Sequence, residues 1–326
     1  MHPREDVRCR VGFVGTGGVA ARHARILGGF DDVELIAATD VDAGRAADFG
    51  RTHGAAPVAD VPALLDRGVD AVYVCVPPFA HGELERELAA AGVALFIEKP
   101  LGCDVGAAET VGAVLAEARV VARVGHHWRC GEPVRRAREL LADRPVRVVR
   151  GSWLDKVPPV PWWVDARRSG GQVVEQAVHV LDLARTLVGE VQEVYAVAGP
   201  CRAAEPEERT VDGATAAVLR FADGAVGTLD ATCRLGWKHR AGLEIVTDDL
   251  VLDVTEEGVT ARDGDGFRHF PADPDVAKAA ADRAFVDAVR RAADVDGLPD
   301  YAEALRTHRL ACAVARSVAS GRPEGV

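Results

Sequence analysis

The sequence predicts an α/β domain with a parallel sheet, followed by an α+β domain built on an open, mainly antiparallel sheet. Residues 1–124 alternate strand-like and helix-like segments, which is the pattern of βαβ units. Residues 191–270 form short alternating segments separated by turn signals, as in an antiparallel meander. A chain of 326 residues is also long for a single hydrophobic core. We therefore expect a first domain over 1–124 and a second domain over 125–326.

The strands of the first domain are short apolar runs that end at turn residues. They are predicted at 7–14, 33–39, 56–58, 69–76, 94–97 and 120–124. The intervening helices follow the apolar period of 3.6 residues and are predicted at 19–28, 43–53, 61–66, 80–91 and 105–117. The run at 69–76 is almost continuously apolar, as expected for a strand that is buried on both faces.

The pattern changes in the second domain, where the strand–helix alternation stops after residues 126–129. Its helices are predicted at 133–142, 173–187, 276–293 and 301–320. Its strands include segments at 146–153, 214–221, 225–233, 243–246 and 251–254. So few helices can cover only one face of the sheet, and the last helix could also pack back on the first domain. The other face is then solvated or buried against a second copy, so we expect a homodimer or homotetramer through the open sheet.

Composition and charge argue against several classes of partner. The net charge of -11 disfavours binding to nucleic acid or to an anionic membrane. No apolar run approaches the roughly 18 to 20 residues that span a bilayer. Residues 1–6 are charged and lack the apolar core of a signal peptide, so a cytoplasmic protein is expected. The seven cysteines show neither metal-ligand nor redox spacing, and no metal site is predicted.

A glycine-rich turn joins the first predicted strand to the first predicted helix. It consists of Gly15, Thr16, Gly17, Gly18, Val19 and Ala20. Gly15 permits the tight turn, Gly17 lets the backbone approach a pyrophosphate, and the small Ala20 allows close packing of the helix on the strand. The free N–H groups at the start of the helix can then receive the anion. In this strand–turn–helix context the motif predicts a Rossmann dinucleotide-binding domain rather than a turn without a ligand.

Asp40 follows the second predicted strand, 23 residues beyond Gly17, where an acid accepts hydrogen bonds from the ribose 2′-hydroxyl. Its charge would repel a 2′-phosphate, and only Arg45 is near enough in sequence to compensate. NAD is therefore expected, with NADP as the alternative. Pro77 and His81 follow the fourth strand, where the nicotinamide half of the cofactor would lie. His81 is expected either to contact the cofactor or only to cap the next helix.

Two further motifs give the chain a family resemblance. Glu-Lys-Pro at 98–100 follows the fifth strand, and Gly-Gly at 170–171 leads into Glu-x-x-x-His-x-x-Asp at 175–182. In order and spacing the chain resembles the Gfo/Idh/MocA oxidoreductases, the relatives of glucose–fructose oxidoreductase and inositol dehydrogenase, over essentially its whole length. The resemblance implies an NAD(P)-dependent dehydrogenase or reductase that acts on a CH–OH group of a sugar, cyclitol or related polyol.

The residues of these motifs suit that chemistry. Oxidation of a secondary alcohol needs a base for the hydroxyl proton and a positive group near the developing alkoxide. His179 is the candidate base, and Glu175 lies one helical turn before it, where it could orient the imidazole or bind substrate. Lys99, with Glu98, lies at the strand end where doubly wound sheets bind cofactor and substrate. The alternative for His179 is a structural bond to Asp182.

One departure from the family concerns Glu175. The family more usually carries aspartate there, so the role of the longer side chain stays open. Substrate contacts are predicted at polar and aromatic positions of the second domain, namely Arg129, Lys156, Trp162, Trp163 and Trp237. The Trp162–Trp163 pair could stack on a sugar ring or only anchor its loop.

Two other functions compete with the dehydrogenase hypothesis. Some relatives oxidise a sugar transiently, then eliminate, hydrolyse or epimerise, and reduce the sugar back. Net production of NADH distinguishes a dehydrogenase from such a redox-neutral enzyme. The third hypothesis is a non-catalytic nucleotide-binding regulator, which would need the glycine turn but neither Lys99 nor His179.

Overall fold

The computed structural model describes residues 8–199, 210–291 and 297–326, and the chain divides into two compact units. The first unit comprises the described residues up to Leu101, with those of Gly106–His126 and Ala279–Glu303. The second unit comprises the described residues of Gly102–Val105, His127–Lys278 and Ala304–Val326. The segment 1–6, the first residue of the strand predicted at 7–14 and the end of the helix predicted at 276–293 lie outside the described residues.

The first unit contains a six-stranded parallel sheet in the order β3-β2-β1-β4-β5-β6. The strands are β1 Cys9–Val14, β2 Val33–Thr39, β3 Ala56–Pro57, β4 Ala71–Val74, β5 Ala94–Ile97 and β6 Ala122–Val124. The helices between them are α1 Gly18–Leu27, α2 Ala43–His53, α3 Val61–Leu65, α4 Glu83–Ala90 and α5 Val105–Ala118. The strand order reverses between β1 and β4, and a sheet of this kind binds its ligand beyond the carboxyl ends of the strands at that point.

Local sequence sets several boundaries in this unit. Asp42 caps α2, because its Oδ1 accepts hydrogen bonds from the backbone N–H groups of Gly44 and Arg45. The helix predicted at 80–91 begins later, at Glu83. Residues 78–80 form a separate 3₁₀ turn, and Gly82 has a φ of 125°, which an α-helix does not allow.

The second unit contains a nine-stranded sheet in the order β14-β13-β12-β11-β7-β10-β9-β8-β15. Its strands are β7 Val148–Leu154, β8 Val191–Gly199, β9 Ala214–Phe221, β10 Val226–Thr232, β11 Arg240–Val246, β12 Val251–Thr255, β13 Gly258–Asp263, β14 Gly266–Pro271 and β15 Glu324–Gly325. Among the strand pairs described for this second sheet, only β7 and β10 run parallel. The predicted fold class, a Rossmann domain plus a mainly antiparallel sheet domain, is confirmed.

Helices cover one face of this sheet. The remaining helices of the chain are α6 Glu132–Leu141, α7 Ala166–Ser169, α8 Val178–Leu187, α9 Pro274–Arg291 and α10 Tyr301–Ser320. Side chains from α6, α8 and α10 share one hydrophobic core with the sheet. Residues of β9 alternate between buried and exposed, so Leu219 and Phe221 enter this core while Val218 is exposed. The sheet therefore has one covered and one open face within its unit.

The helix predicted at 173–187 is divided into two parts. Val173–Ala177 forms a π-helical turn, and α8 follows it. Of the last two long helices, α9 belongs to the first unit from Ala279 onward, and α10 belongs to it up to Glu303. Among the described residues, none of the helices has the length and apolar character that crossing a bilayer requires.

Candidate active site

The glycine turn of the first unit has the backbone shape that a dinucleotide needs. Gly15 has a φ of 84°, and a Cβ there would lie 2.4 Å from the carbonyl oxygen of Cys75, so only glycine fits. Gly17 is the residue that precedes α1, and no side chain caps the first N–H groups of this helix. A Cβ at Gly17 or Gly18 would meet nothing within 4 Å, whereas Ala20 is fully buried. The start of α1 is thus open to an anion, and the turn fits a pyrophosphate.

Asp40 lies beside this turn, at the end of β2, with only 7% of its side chain exposed. Its Oδ2 accepts hydrogen bonds from the backbone N–H and the hydroxyl of Thr16, at 2.9 and 3.0 Å. Its Oδ1 accepts bonds from the N–H of Asp42 at 2.9 Å and from Arg45 at 2.8 Å. Burial alone would raise the pKa of Asp40, but these bonds hold it below its usual value. The carboxylate is therefore a fixed anion next to the glycine turn.

His81 follows the 78–80 turn after Pro77 and is fixed by a carboxylate. Its Nδ1 lies 2.5 Å from Oε1 of Glu85, and the other oxygen of Glu85 accepts the N–H of Gly82 at 2.6 Å. Burial alone would raise the pKa of Glu85, but the charge and the hydrogen bond of His81 lower it. Glu85 thus caps α4, and His81 holds Glu85 in place. The Nε2 of His81 is buried and has no hydrogen-bond partner among the described residues.

Glu98 and Lys99 stand immediately after β5. Oε1 of Glu98 lies 2.9 Å from Nε2 of His23 and 3.2 Å from Arg22, and Oε2 accepts the backbone N–H of Lys99 at 3.1 Å. Burial alone would raise the pKa of Glu98. The hydrogen bond and charge of His23, with the charges of Arg22 and Lys99, lower it to about 2. Glu98 is thus a buried carboxylate that stays ionised, and Lys99 beside it is half-buried.

His179, on α8 of the second unit, packs beside two tryptophan rings, Trp128 and Trp153, whose own centroids are 6.1 Å apart. Trp128 and Trp153 stack on it at centroid distances of 5.6 and 5.7 Å and interplanar angles of 15° and 21°. His127 meets it edge-on at 5.3 Å. Trp128 and Trp153 are not among the predicted site residues, because a single tryptophan in a sequence is more often part of a core than of a site. The one signal in the sequence is the run His-His-Trp at 126–128, which places two histidines next to Trp128.

Asp182 and Arg129 form a buried ion pair. The guanidinium of Arg129 donates two hydrogen bonds to the carboxylate of Asp182, at 2.8 and 2.6 Å, and Thr307 donates a third at 2.8 Å. The guanidinium is thus engaged by Asp182 and only 10% of the side chain is exposed, which does not favour the prediction of Arg129 as a substrate contact. Its role in this structure is to join the segment before α6 to α8.

Glu175 lies in the π-helical turn before α8, so its spacing from His179 is not a regular α-helical turn. Its Oε2 accepts a hydrogen bond of 2.6 Å from the indole N–H of Trp163. Trp163 is completely buried and packs with Val211 and Cys233. Because neither face of the indole is accessible, the structure favours the second of the two predicted roles of Trp163, which is to anchor its loop. Trp163 anchors its loop and positions Glu175.

The remaining predicted substrate contacts lie in different surroundings. Trp162 is half-buried and packs against the Trp163 cluster. Lys156 is exposed, and its carbonyl accepts a hydrogen bond from Gln176 at 3.3 Å. Trp237 is 62% exposed. The first unit thus brings together the glycine turn with Asp40, and Lys99 with Glu98. The second unit brings together His179 with its two tryptophans, and Glu175 with Trp163.

Both units match models of one oxidoreductase family. Residues 9–126 match the model described as "Oxidoreductase family, NAD-binding Rossmann fold", and residues 134–251 match "GFO/IDH/MocA C-terminal domain". The chain is similar to Myo-inositol 2-dehydrogenase of Thermotoga maritima, with 30% identity over 243 residues and 72% of each chain covered. It is also similar to scyllo-inositol 2-dehydrogenase (NAD(+)) of Bacillus subtilis, with 26% identity, covering 74% of this chain and 71% of that protein.

Solved structures share the fold. Levoglucosan dehydrogenase, in complex with NADH and levoglucosan, superposes with a TM-score of 0.88 at 21% identity, covering 98% of this chain and 99% of that one. An oxidoreductase domain protein from Kribbella flavida has the same TM-score of 0.88 at 24% identity, with the same coverage.

Proposed function

The chain belongs to the Gfo/Idh/MocA family of oxidoreductases, and on that premise we propose that it oxidises, or in reverse reduces, a secondary hydroxyl of a sugar, cyclitol or related polyol. The predicted family is confirmed, and so is NAD as the cofactor. The protein is an NAD-dependent dehydrogenase acting on CH–OH groups. The observation that carries the proposal is Lys99, a half-buried cation at the carboxyl end of a strand in the NAD-binding sheet.

The first unit supplies the cofactor contacts. NAD, when bound, accepts the hydride from the carbinol carbon. The open start of α1, from Gly15 to Ala20, binds the pyrophosphate, and Asp40 accepts hydrogen bonds from the ribose. An ionised carboxylate has about four lone-pair sites, and Asp40 already uses four. Arg45 is the exposed donor among them, so it must yield its place when a ribose hydroxyl binds.

Pro77, His81, Glu98 and Lys99 line the nicotinamide half of this proposed site. The imidazole of His81 is held at Nδ1 by Glu85, which leaves Nε2 as the atom able to bind a ligand. Because both side chains are buried, this atom has a fixed position. We assign it to a polar group of the cofactor.

Removal of the hydroxyl proton needs a base and a cation. A sugar hydroxyl is about as weak an acid as bulk water, near ~15.7. An ordinary histidine titrates near ~6.5, so the free alkoxide would lie about 12 kcal/mol uphill. Proton transfer to His179 must therefore accompany departure of the hydride. The ammonium of Lys99 stabilises the negative charge that develops on the oxygen.

The rings around His179 fit this role. Once His179 has taken up a proton it is a cation, and an aromatic ring face within about 6 Å favours a cation by about 0.5 to 2 kcal/mol. The same stacking fixes the plane of the imidazole. Glu175, held by Trp163, is the positioned carboxylate that orients the base or the substrate. Arg129 is left out of the substrate contacts, while Lys156, Trp162 and Trp237 stay candidates for them.

The test is a panel of sugars, cyclitols and aminosugars with NAD, followed by the absorbance of NADH. On the best substrate, Lys99→Met and His179→Asn should each lower kcat by about 100-fold or more. NAD affinity should stay within a few-fold of wild type in His179→Asn. His269→Asn, which removes an exposed histidine of β14, is the matched control and should behave like wild type. Turnover within a few-fold of wild type in Lys99→Met or His179→Asn would show that the assigned roles are wrong.

The relatives named as inositol dehydrogenases do not favour the redox-neutral or the regulatory alternative. The panel tests both alternatives as well. A redox-neutral enzyme would consume substrate without net NADH, and a regulator would bind NAD and turn nothing over.

The open face of the second-unit sheet supports a homodimer or homotetramer. It exposes Tyr195, Val197, Val218 and Val226 on three adjacent strands, and Tyr195 is paired with Val218. Adjacent exposed apolar side chains of this kind are typical of an interface, and a second copy would present the same surface. Val218→Glu should therefore lower the sedimentation coefficient at micromolar concentration, and a monomeric wild type would contradict the proposal. A cytoplasmic location stays a prediction.

A further inference from the structure

A chain of buried charges lies behind Glu98 in the first unit. His23, on α1, is 2% exposed. Its Nδ1 lies 2.6 Å from Oδ1 of Asp282, on α9, and its Nε2 lies 2.9 Å from Oε1 of Glu98. Asp282 is completely buried and Glu98 nearly so. One imidazole therefore bridges two carboxylates that come from distant parts of the chain.

The geometry determines which protons the imidazole carries. An ionised carboxylate can only accept a hydrogen bond, so both ring nitrogens must donate when Asp282 and Glu98 are ionised. His23 is then an imidazolium. With Arg22, which lies 3.2 Å from Glu98, two positive charges balance the two buried negative ones. A neutral His23 would turn a lone pair toward one carboxylate and leave a buried negative charge uncompensated.

We infer that His23 and Asp282 are positioning residues for Lys99, acting through Glu98. The imidazolium fixes one oxygen of Glu98, and the other oxygen accepts the backbone N–H of Lys99 at 3.1 Å. Asp282 fixes the far side of the imidazolium. The three side chains thus anchor the peptide that carries Lys99 to two helices of the unit, α1 and α9. This inference rests on the proposed role of Lys99.

The surroundings leave Glu98 little freedom. A Cβ on Gly125, which follows β6, would lie 3.0 Å from each carboxylate oxygen of Glu98. The carboxylate is therefore packed directly against the backbone there. Four other titratable groups or rings face His23 and its two carboxylates. They are Tyr73 on β4, Cys75 just after β4, Phe96 on β5, and Lys99.

The pKa shifts agree with this protonation state. Burial alone would lower the pKa of His23, but the hydrogen bonds and charges of Asp282 and Glu98 raise it. Glu98 moves the other way, to a pKa of about 2, chiefly through His23 and against the effect of burial. Both shifts stabilise the ionised pair.

The first measurement is independent of activity. In ¹⁵N-histidine-labelled protein, the two ring nitrogens of His23 should both be protonated at pH 7, where an ordinary histidine is mostly neutral. The resonance is assigned by its shift in Asp282→Asn and its loss in His23→Gln. A ring with a single proton at pH 7 would overturn the inference.

The second measurement separates positioning from general packing of α9. Asp282→Asn removes the charge that holds the imidazolium, so kcat should fall about 10- to 100-fold through misplacement of Lys99. The alkaline limb of the kcat–pH profile should also move to lower pH, because His23 then loses its proton earlier. The KM for NAD should change less than 3-fold.

The matched control is Asp32→Asn. Asp32 accepts hydrogen bonds from Arg283 of α9 at 2.8 and 3.1 Å, so it ties the same helix to the unit without touching Glu98. Asp32→Asn should leave the pH profile unchanged. Equal effects of the two variants, or a wild-type profile in Asp282→Asn while Lys99→Met is inactive, would overturn the inference and leave the proposed function intact. Activity in Lys99→Met would overturn both.

Discussion

The ion pair between Asp40 and Arg45 predicts how the choice between NAD and NADP can be reversed. Asp40 is nearly buried and keeps its negative charge, while the side chain of Arg45 is 56% exposed and 2.8 Å away. Asp40→Ala removes the charge that repels a 2′-phosphate and releases a cation at the same place. NADP should then bind better and NAD worse.

The magnitude follows from two terms. Two charges about 4 Å apart interact by about 4 kcal/mol at an effective dielectric constant of about 20. Because the Arg45 side of the pair is open to solvent and salt, we expect the lost repulsion to be about 2 kcal/mol. A charge-assisted hydrogen bond from the released Arg45 to the phosphate adds about 2 kcal/mol. At 1.4 kcal/mol per factor of ten, the ratio of the two affinities should change by about 1,000-fold.

The assay is titration calorimetry with both cofactors on a double-mutant cycle. Arg45→Ala alone should change NAD affinity less than 3-fold, since Asp40 keeps its three other donors. Asp40→Ala/Arg45→Ala should lose about half of the change in free energy, because the repulsion is gone but the new bond cannot form. A wild-type preference for NAD in Asp40→Ala would refute the reasoning, and identical behaviour of the single and double variants would refute the part assigned to Arg45.

Three further outcomes are expected. Gly15→Ala should abolish NAD binding and lower the unfolding free energy, measured in urea, by at least about 2 kcal/mol, because its Cβ meets a carbonyl oxygen. Gly54 also has a positive φ, of 81°, but a Cβ there meets nothing within 4 Å. Gly54→Ala should therefore lower the unfolding free energy by only about 1 kcal/mol and bind NAD normally. Trp163→Phe leaves Glu175 without its indole donor, so kcat should fall by about 10-fold or more with little change in fluorescence-detected NAD affinity. The pKa of Glu98 in the folded protein is lowered to about 2, so its ionisation adds about 3 kcal/mol to the unfolding free energy above about pH 4.5. This contribution is lost as the pH falls toward 2. Acid titration of Glu98→Gln, followed by circular dichroism, should not show that loss.

The sequence predicted those features that depend on the conformation of a few consecutive residues. The glycine turn, Asp40 at the end of β2 and the alternating pattern of β9 each follow from backbone conformation or from side-chain period. The boundaries are less exact. The strand predicted at 69–76 is shorter in the structure, where β4 spans Ala71–Val74.

The partners of buried polar groups could not be predicted in this way. Asp282 pairs with His23 across 259 residues, and no periodicity links the two positions. Trp163 illustrates the same limit, because an aromatic residue in a loop can stack on a ligand or anchor the loop, and only tertiary packing decides between them.

The return of α9 to the first unit constrains how this protein could be rebuilt from parts. Phe285, on α9, is fully buried and packs edge-on against Tyr73 and Phe96 of the parallel sheet. A Rossmann fragment that ends at residue 126 would therefore have a cavity in its core, and His23 would lack its carboxylate partner Asp282. A single crossover in the gene cannot exchange the cofactor-binding unit between relatives. The segment 279–303 would have to be exchanged with it, so such chimaeras need three junctions, after residues 126, 278 and 303.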